Sequence, residues 1–179
     1  MMPIKKMTLC ALFAALTAVC AQISLPIGPV PITLTLLPIL LCAVLMDKRY
    51  ATVSTLVYAL MGLIGLPVFS GFSGGVSHLI GPTGGYIVGF AAMAAVYGLT
   101  VHFAGESRKA KILGMVLGLI ACYAFGTVWF VLVYSAQKGA VSVLSALSWC
   151  VFPYILPDLV KMALAFLLSE RVAKSLKNR

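Results

Sequence analysis

Residues 112–135 read Ile-Leu-Gly-Met-Val-Leu-Gly-Leu-Ile-Ala-Cys-Tyr-Ala-Phe-Gly-Thr-Val-Trp-Phe-Val-Leu-Val-Tyr-Ser, without one charged side chain. A helix needs roughly 20 mostly apolar residues to cross the hydrocarbon of a bilayer, and this run exceeds that length. Its apolar residues are continuous rather than alternating, which excludes a strand of a membrane β-barrel. The same test, carried outward along the chain, finds five more runs: Met7–Leu25, Val30–Met46, Ala51–Phe69, Gly84–Gly105 and Leu147–Leu168. Only the last of these contains charges, Asp158 and Lys161. The expectation is an all-α, polytopic membrane protein, a single domain over residues 1–179 with six transmembrane helices. Composition agrees: 62% of the residues are hydrophobic and 9% charged, with mean hydropathy +1.10. A soluble domain carries about 25% charged residues.

The formal net charge of +9 arises from 13 basic and four acidic residues, and their placement sets the orientation. Lys5 and Lys6 precede the first run, and Lys48 and Arg49 separate the second from the third. Arg108, Lys109 and Lys111 separate the fourth from the fifth, and Arg171, Lys174, Lys177 and Arg179 follow the sixth. With six spans all of these lie on one side, while the opposite connections, Pro26–Pro29, Ser70–Thr83 and Ala136–Ala146, carry only Lys138. The positive-inside rule then puts both termini in the cytoplasm and the Gly-rich connections outside. This asymmetry accounts for the basic balance without nucleic acid. Run one follows lysines as a signal peptide does, but it is long and lacks a clean small-x-small exit. Val19 before Cys20 also spoils a lipoprotein-type site, so the segment is expected to be retained. Cys10, Cys20, Cys42, Cys122 and Cys150 are dispersed through apolar runs, which suits packing rather than a disulfide frame or metal site.

Two proline-bearing outer segments, Leu25-Pro26-Ile27-Gly28-Pro29-Val30-Pro31 and Gly65-Leu66-Pro67, cannot continue a regular helix. Irregular backbone at membrane depth must be buried in protein or line a cavity. With Pro153 and Pro157 in the last run, the breaks gather at the outer half, where a cavity is expected. Asp158 and Lys161 stand at i and i+3, on one helical face. Charges at such depth cost several kcal/mol unless they face the protein interior or a wet cavity. A structural ion pair is the plain interpretation. The functional one is a polar ligand site, Asp158 accepting from ligand N–H groups and Lys161 donating to a carbonyl or carboxylate. Tyr154 and Met162 share that face, and Tyr86, beside the Gly-rich stretch, is the aromatic best placed to join it.

Other chemistry fits less well. Gly81–Gly85 lacks the spacing and lysine of a phosphate-binding loop. Gly71-Phe72-Ser73-Gly74 fits the G-x-S-G of rhomboid intramembrane proteases, which need a histidine base near the serine. His102 lies about 25–30 Å away by helix rise, and His78 is only five residues on in the same connection, so an enzyme is not expected. Thr83 is positioned to cap the helix that follows. Ala11, Ala14, Ala15 and Ala18 form two overlapping Ala-x-x-x-Ala pairs, a smooth surface for a close helix approach, inside the protein or with a partner.

Taken together, these residues resemble the BioY family, the biotin-binding S-components of energy-coupling factor (ECF) transporters. The resemblance covers nearly the whole chain. It rests on Gly28-Pro29-Val30-Pro31-Ile32-Thr33-Leu34, on Gly62-Leu63-Ile64-Gly65-Leu66-Pro67-Val68-Phe69 followed by Gly74-Gly75, on Gly81-Pro82-Thr83-Gly84-Gly85-Tyr86, and on Asp158-x-x-Lys161. One departure is Thr35, where the family commonly has glutamine. The resemblance implies a six-helix S-component in a prokaryotic cell membrane that binds biotin in an outward-facing pocket and needs no cofactor. Asp158 would take the ureido N–H side and Lys161 the ureido carbonyl, with the carboxylate as the alternative. Pro31, Thr33, Gly75, Gly85 and Tyr86 would complete the pocket and its closing loops. The alanine face of helix one would dock a transmembrane coupling subunit, which works with two cytosolic ATPases. The remaining alternatives are an S-component for another vitamin and a stand-alone carrier driven by protons through Asp158.

Overall fold

The computed structural model describes residues 4–46 and 48–177; Arg179 and the side chains of Lys48, Leu176 and Lys177 lie outside that description. Helix α1 (Ile4–Gln22) leads into a short hairpin of β1 (Ser24–Leu25) and β2 (Ile32–Thr33), paired antiparallel with Ser24 opposite Thr33. Then follow α2 (Leu36–Leu45), α3 (Lys48–Leu63), the single turn α4 (Val76–Ile80), α5 (Gly84–Ala104), α6 (Arg108–Lys138), α7 (Val143–Cys150) and α8 (Phe152–Lys177). Four of these, α1, α5, α6 and residues 152–175 of α8, are long and apolar enough to cross a membrane.

Three expected runs come out differently. The run Val30–Met46 becomes helical only at Leu36, because Pro31 has no amide to donate and Ile32–Thr33 pair with Ser24–Leu25 instead. Pro38 is tolerated because it lies in the first turn of α2, where amides have no intrahelical partner. At 10 residues α2 spans about 15 Å, half the hydrocarbon thickness. The run Ala51–Phe69 stops being helical at Leu63, ahead of Gly65 at φ +96° and Pro67. The run Leu147–Leu168 is two helices broken at Val151, since Pro153 cannot donate back into α7.

The short α2 sits at the centre. Its Leu36, Ile39 and Leu40 are buried against a core that includes Met93 and Tyr97 of α5, Met115 of α6 and Met162 of α8. The most extensive helix pair is α5 with α6. Gly114, Gly118, Cys122 and Gly126 recur every four residues along the inner face of α6, so the α5 backbone can approach closely. The opposite face of α6 presents Leu113, Val116, Leu117, Ile120, Val128 and Leu132 outward, an apolar surface suited to lipid. On α1 the four alanines do not share one face. Ala14 is buried near Tyr58 and Phe69 and Ala18 is partly buried against them, while Ala11 and Ala15 are exposed.

Candidate ligand-binding site

Asp158 and Lys161 lie within the first three turns of α8, both buried, and meet at 2.7 Å between Lys161 Nζ and Asp158 Oδ1. Tyr123 of α6 donates its hydroxyl to the other oxygen, Oδ2, at 2.6 Å. The carboxylate is therefore gripped from two helices. Its oxygens retain further lone pairs and the ammonium two further N–H bonds. An acceptor and a donor thus stand side by side, matching a ligand edge that carries an N–H next to a carbonyl.

This group lines a cavity of about 50 Å³, walled by Val30, Leu36, Phe90 and Leu119 and by the thiols of Cys122 and Cys150. An adjoining chamber of about 230 Å³ shares Val30, Pro31, Thr33, Tyr86 and Phe90 with it. That chamber adds hydroxyls and an imidazole: Thr35, Ser70, Ser73, His78 and Thr83, beside Tyr58. Together they approach the lower end of the roughly 300–1,000 Å³ that ligand sites occupy, in the usual form of apolar walls with a few polar groups.

Of the residues expected from sequence, Asp158, Lys161, Tyr86, Thr33 and Pro31 all line these cavities. Tyr86 reaches between them, its hydroxyl 3.1 Å from Thr127 Oγ1. Thr33 and Thr35 share a hydrogen bond of 2.7 Å, so the position that departs from the family's glutamine is buried and part of the chamber wall. Gly85 and Gly75 are not among the lining residues. A Cβ at Gly85 would stand 2.2 Å from Trp129 Cβ, so this glycine serves the α5–α6 contact. Gly75, at φ +95°, turns the chain into α4 while its N–H donates to the Gly62 carbonyl at 2.7 Å. The Gly81–Tyr86 motif is a packed corner, with Trp129 Nε1 donating to the Gly81 carbonyl at 3.0 Å. Thr83 begins α5 without a capping hydrogen bond from its side chain. Ser73 Oγ donates to the Ser70 carbonyl at 2.8 Å, and the His78 ring lies against Phe69. Among the described residues no three His, Cys, Asp or Glu side chains converge as a metal site.

Two contributors, Tyr123 and Gln22, were not singled out from sequence, and a third, Tyr154, was seen only in part. Tyr123 looks like one more aromatic in an apolar run. Tyr154 was expected only to share the Asp158 face; its hydroxyl donates to the Ile27 carbonyl at 3.0 Å and to that of Val30, which fastens the loop between β1 and β2 to α8. Gln22, at the end of α1, donates to the Phe69 carbonyl at 3.1 Å and accepts from the Phe72 N–H at 2.8 Å, holding the second loop. The polar character of Gln22 at the end of an apolar run was its only signal.

Comparison with known proteins gives one consistent result. The model of the BioY family matches residues 1–178. A probable biotin transporter BioY of Pyrococcus horikoshii is 39% identical over 96% of this chain and 98% of its own length. The biotin transporter BioY of Thermotoga maritima is 39% identical over 91% and 92%. Among solved structures, the biotin S-component of an ECF-type ABC transporter superposes with a TM-score of 0.81 at 28% identity, covering 96% of this chain and 92% of that one. The S component of a bacterial ECF transporter has the same fold, with a TM-score of 0.65 at 19% identity over 97% and 98%.

Proposed function

Since the chain belongs to the BioY family, we propose that it is the biotin-binding S-component of an ECF transporter, capturing the vitamin from outside and passing it inward. The observation that carries this reading is the buried Asp158–Lys161 pair, joined by the half-buried Tyr123, at the wall of an apolar cavity. Biotin's ureido ring presents N–H beside a carbonyl, which complements Asp158 beside Lys161. Its thiophane ring suits the walls formed by Phe90, Leu119, Cys122 and Cys150. Its valerate chain would extend toward the hydroxyl-lined chamber. The loops held by Tyr154 and Gln22 would close over the ligand.

The proposed topology has six crossings with both termini in the cytoplasm. The short α2 and the 16-residue α3 make the second and third, each completed by non-helical chain next to the cavity. The proposed partners are a transmembrane coupling subunit and two cytosolic ATPases that supply the energy. The exposed Ala11 and Ala15 of α1 form the proposed contact for the first of these.

The test is calorimetric titration of biotin into the purified chain, freed of carried-over vitamin. Tight one-to-one binding is expected, and Asp158→Asn should weaken it by at least a hundredfold in protein whose thermal melt shows it folded. Folded, vitamin-free wild type that takes up no heat from biotin, while another vitamin binds tightly, would reassign the substrate.

A further inference from the structure

The end of the molecule opposite the Asp158 cavity holds a second feature, which follows from the shortness of α2. That helix stops at Leu45, whereas α5 runs to Ala104 and α8 to Lys177. The missing turns leave a recess of about 760 Å³ between α2, α3, α5 and α6, adjoined by another of about 310 Å³ between α2, α6 and α8. Val44, Leu45, Met46 and Val101 give the first recess one apolar side, while polar groups make up the larger part of its exposed lining; Phe166 contributes to the apolar side of the second. The rim is basic: Arg49 and Lys111 at the first, Arg108, Lys111 and Lys174 at the second. Among the described residues Glu106 and Glu170 are the carboxylates there, and Glu170 is engaged by Arg108 at 2.8 Å. His102 also lines the larger recess.

Depth matters as much as charge. These residues belong to the last turns of α5 and of the apolar part of α8, and the first turn of α6, so the rim lies where spanning helices leave the hydrocarbon. One apolar side below a cationic rim at that depth complements an acyl chain below a phosphate. Basic pockets between spanning helices are a recurrent form of headgroup recognition. We propose that this recess is a binding site for an anionic phospholipid of the adjacent leaflet, its phosphate held by Arg49 and Lys111 and its acyl chains along Val44, Leu45 and Val101. This site is separate from the biotin cavity and does not depend on the substrate.

The test uses the full chain, delipidated in neutral detergent, and native mass spectrometry with phosphatidylglycerol or phosphatidylcholine of matched acyl chains. Wild type should retain one phosphatidylglycerol with at least fivefold preference and gain thermal stability from it. Arg49→Gln with Lys111→Gln should bring that preference close to parity and remove the stabilisation. Lys5→Gln with Lys138→Gln, which removes the same charge elsewhere, should leave both intact. Equal retention of the two lipids by wild type overturns the proposal. So does an equal loss in the Lys5/Lys138 pair, which would reduce the effect to net charge. Displacement of the lipid by millimolar inorganic phosphate overturns it too, in favour of a plain anion site.

Discussion

Asp158 divides its two carboxylate oxygens between Lys161, one turn along the same helix, and Tyr123 from another helix. The i, i+3 pair was legible because two charges in an otherwise apolar run have few places to go. Tyr123 was not, because nothing local distinguishes it from other aromatics; only the packing of α6 on α8 brings its hydroxyl to Oδ2. A hydrogen bond to a charged group contributes about 1.5–3 kcal/mol. Tyr123→Phe should therefore lower biotin affinity roughly tenfold or more, measured by titration. If Tyr123 acts by holding Asp158, adding Tyr123→Phe to Asp158→Asn should cost little further. Full additivity in that double-mutant cycle would mean the two residues contribute independently.

At the scale of elements, of the two glycines expected to line the pocket Gly85 packs α5 against α6 and Gly75 turns the chain into α4, and the loops are held by side chains that the motifs do not include. Gly126, which the sequence did not single out, packs in the same way from the α6 side. A Cβ there would lie 2.2 Å from the Tyr86 ring, so α6 has a gap where Tyr86 sits. Gly126→Ala should displace Tyr86 into the cavity, lower the thermal midpoint by an amount equivalent to about 1–3 kcal/mol of overpacking, and weaken biotin binding. An unshifted melt with normal affinity would show that the helices part without cost. Tyr154 illustrates how the loops are held. Its hydroxyl holds the carbonyls of Ile27 and Val30, so Tyr154→Phe should free the loop between β1 and β2. Biotin should then dissociate faster, with a smaller change in the association rate, in stopped-flow exchange against labelled ligand. The helix boundaries that shifted did so at prolines, whose effect on the backbone was foreseeable although its extent was not.

On the scale of the whole molecule, the bundle turns apolar side chains outward, buries the Asp158–Lys161 ion pair, and opens a cavity at one end and a basic-rimmed recess at the other. Coupling to a partner belongs here. The exposed Ala11 and Ala15 leave α1 smooth enough for another helix, whereas Ala14 is already used internally. Ala15→Trp should leave biotin binding unchanged and abolish uptake in cells that carry the coupling subunits; uptake at the normal rate would move the partner contact elsewhere. By itself the sequence determined the membrane class, the run of apolar segments, the charge asymmetry and the Asp158–Lys161 pair. Each of these follows from transfer free energies and local periodicity, which need no knowledge of neighbours. Tertiary structure alone decided which helix falls short, which alanines stay exposed and which glycines face a ring. It also decided that Tyr123 meets Asp158 and that Tyr154 and Gln22 hold the loops beside the cavities. Those outcomes depend on contacts between residues far apart in the chain, which local pattern does not encode.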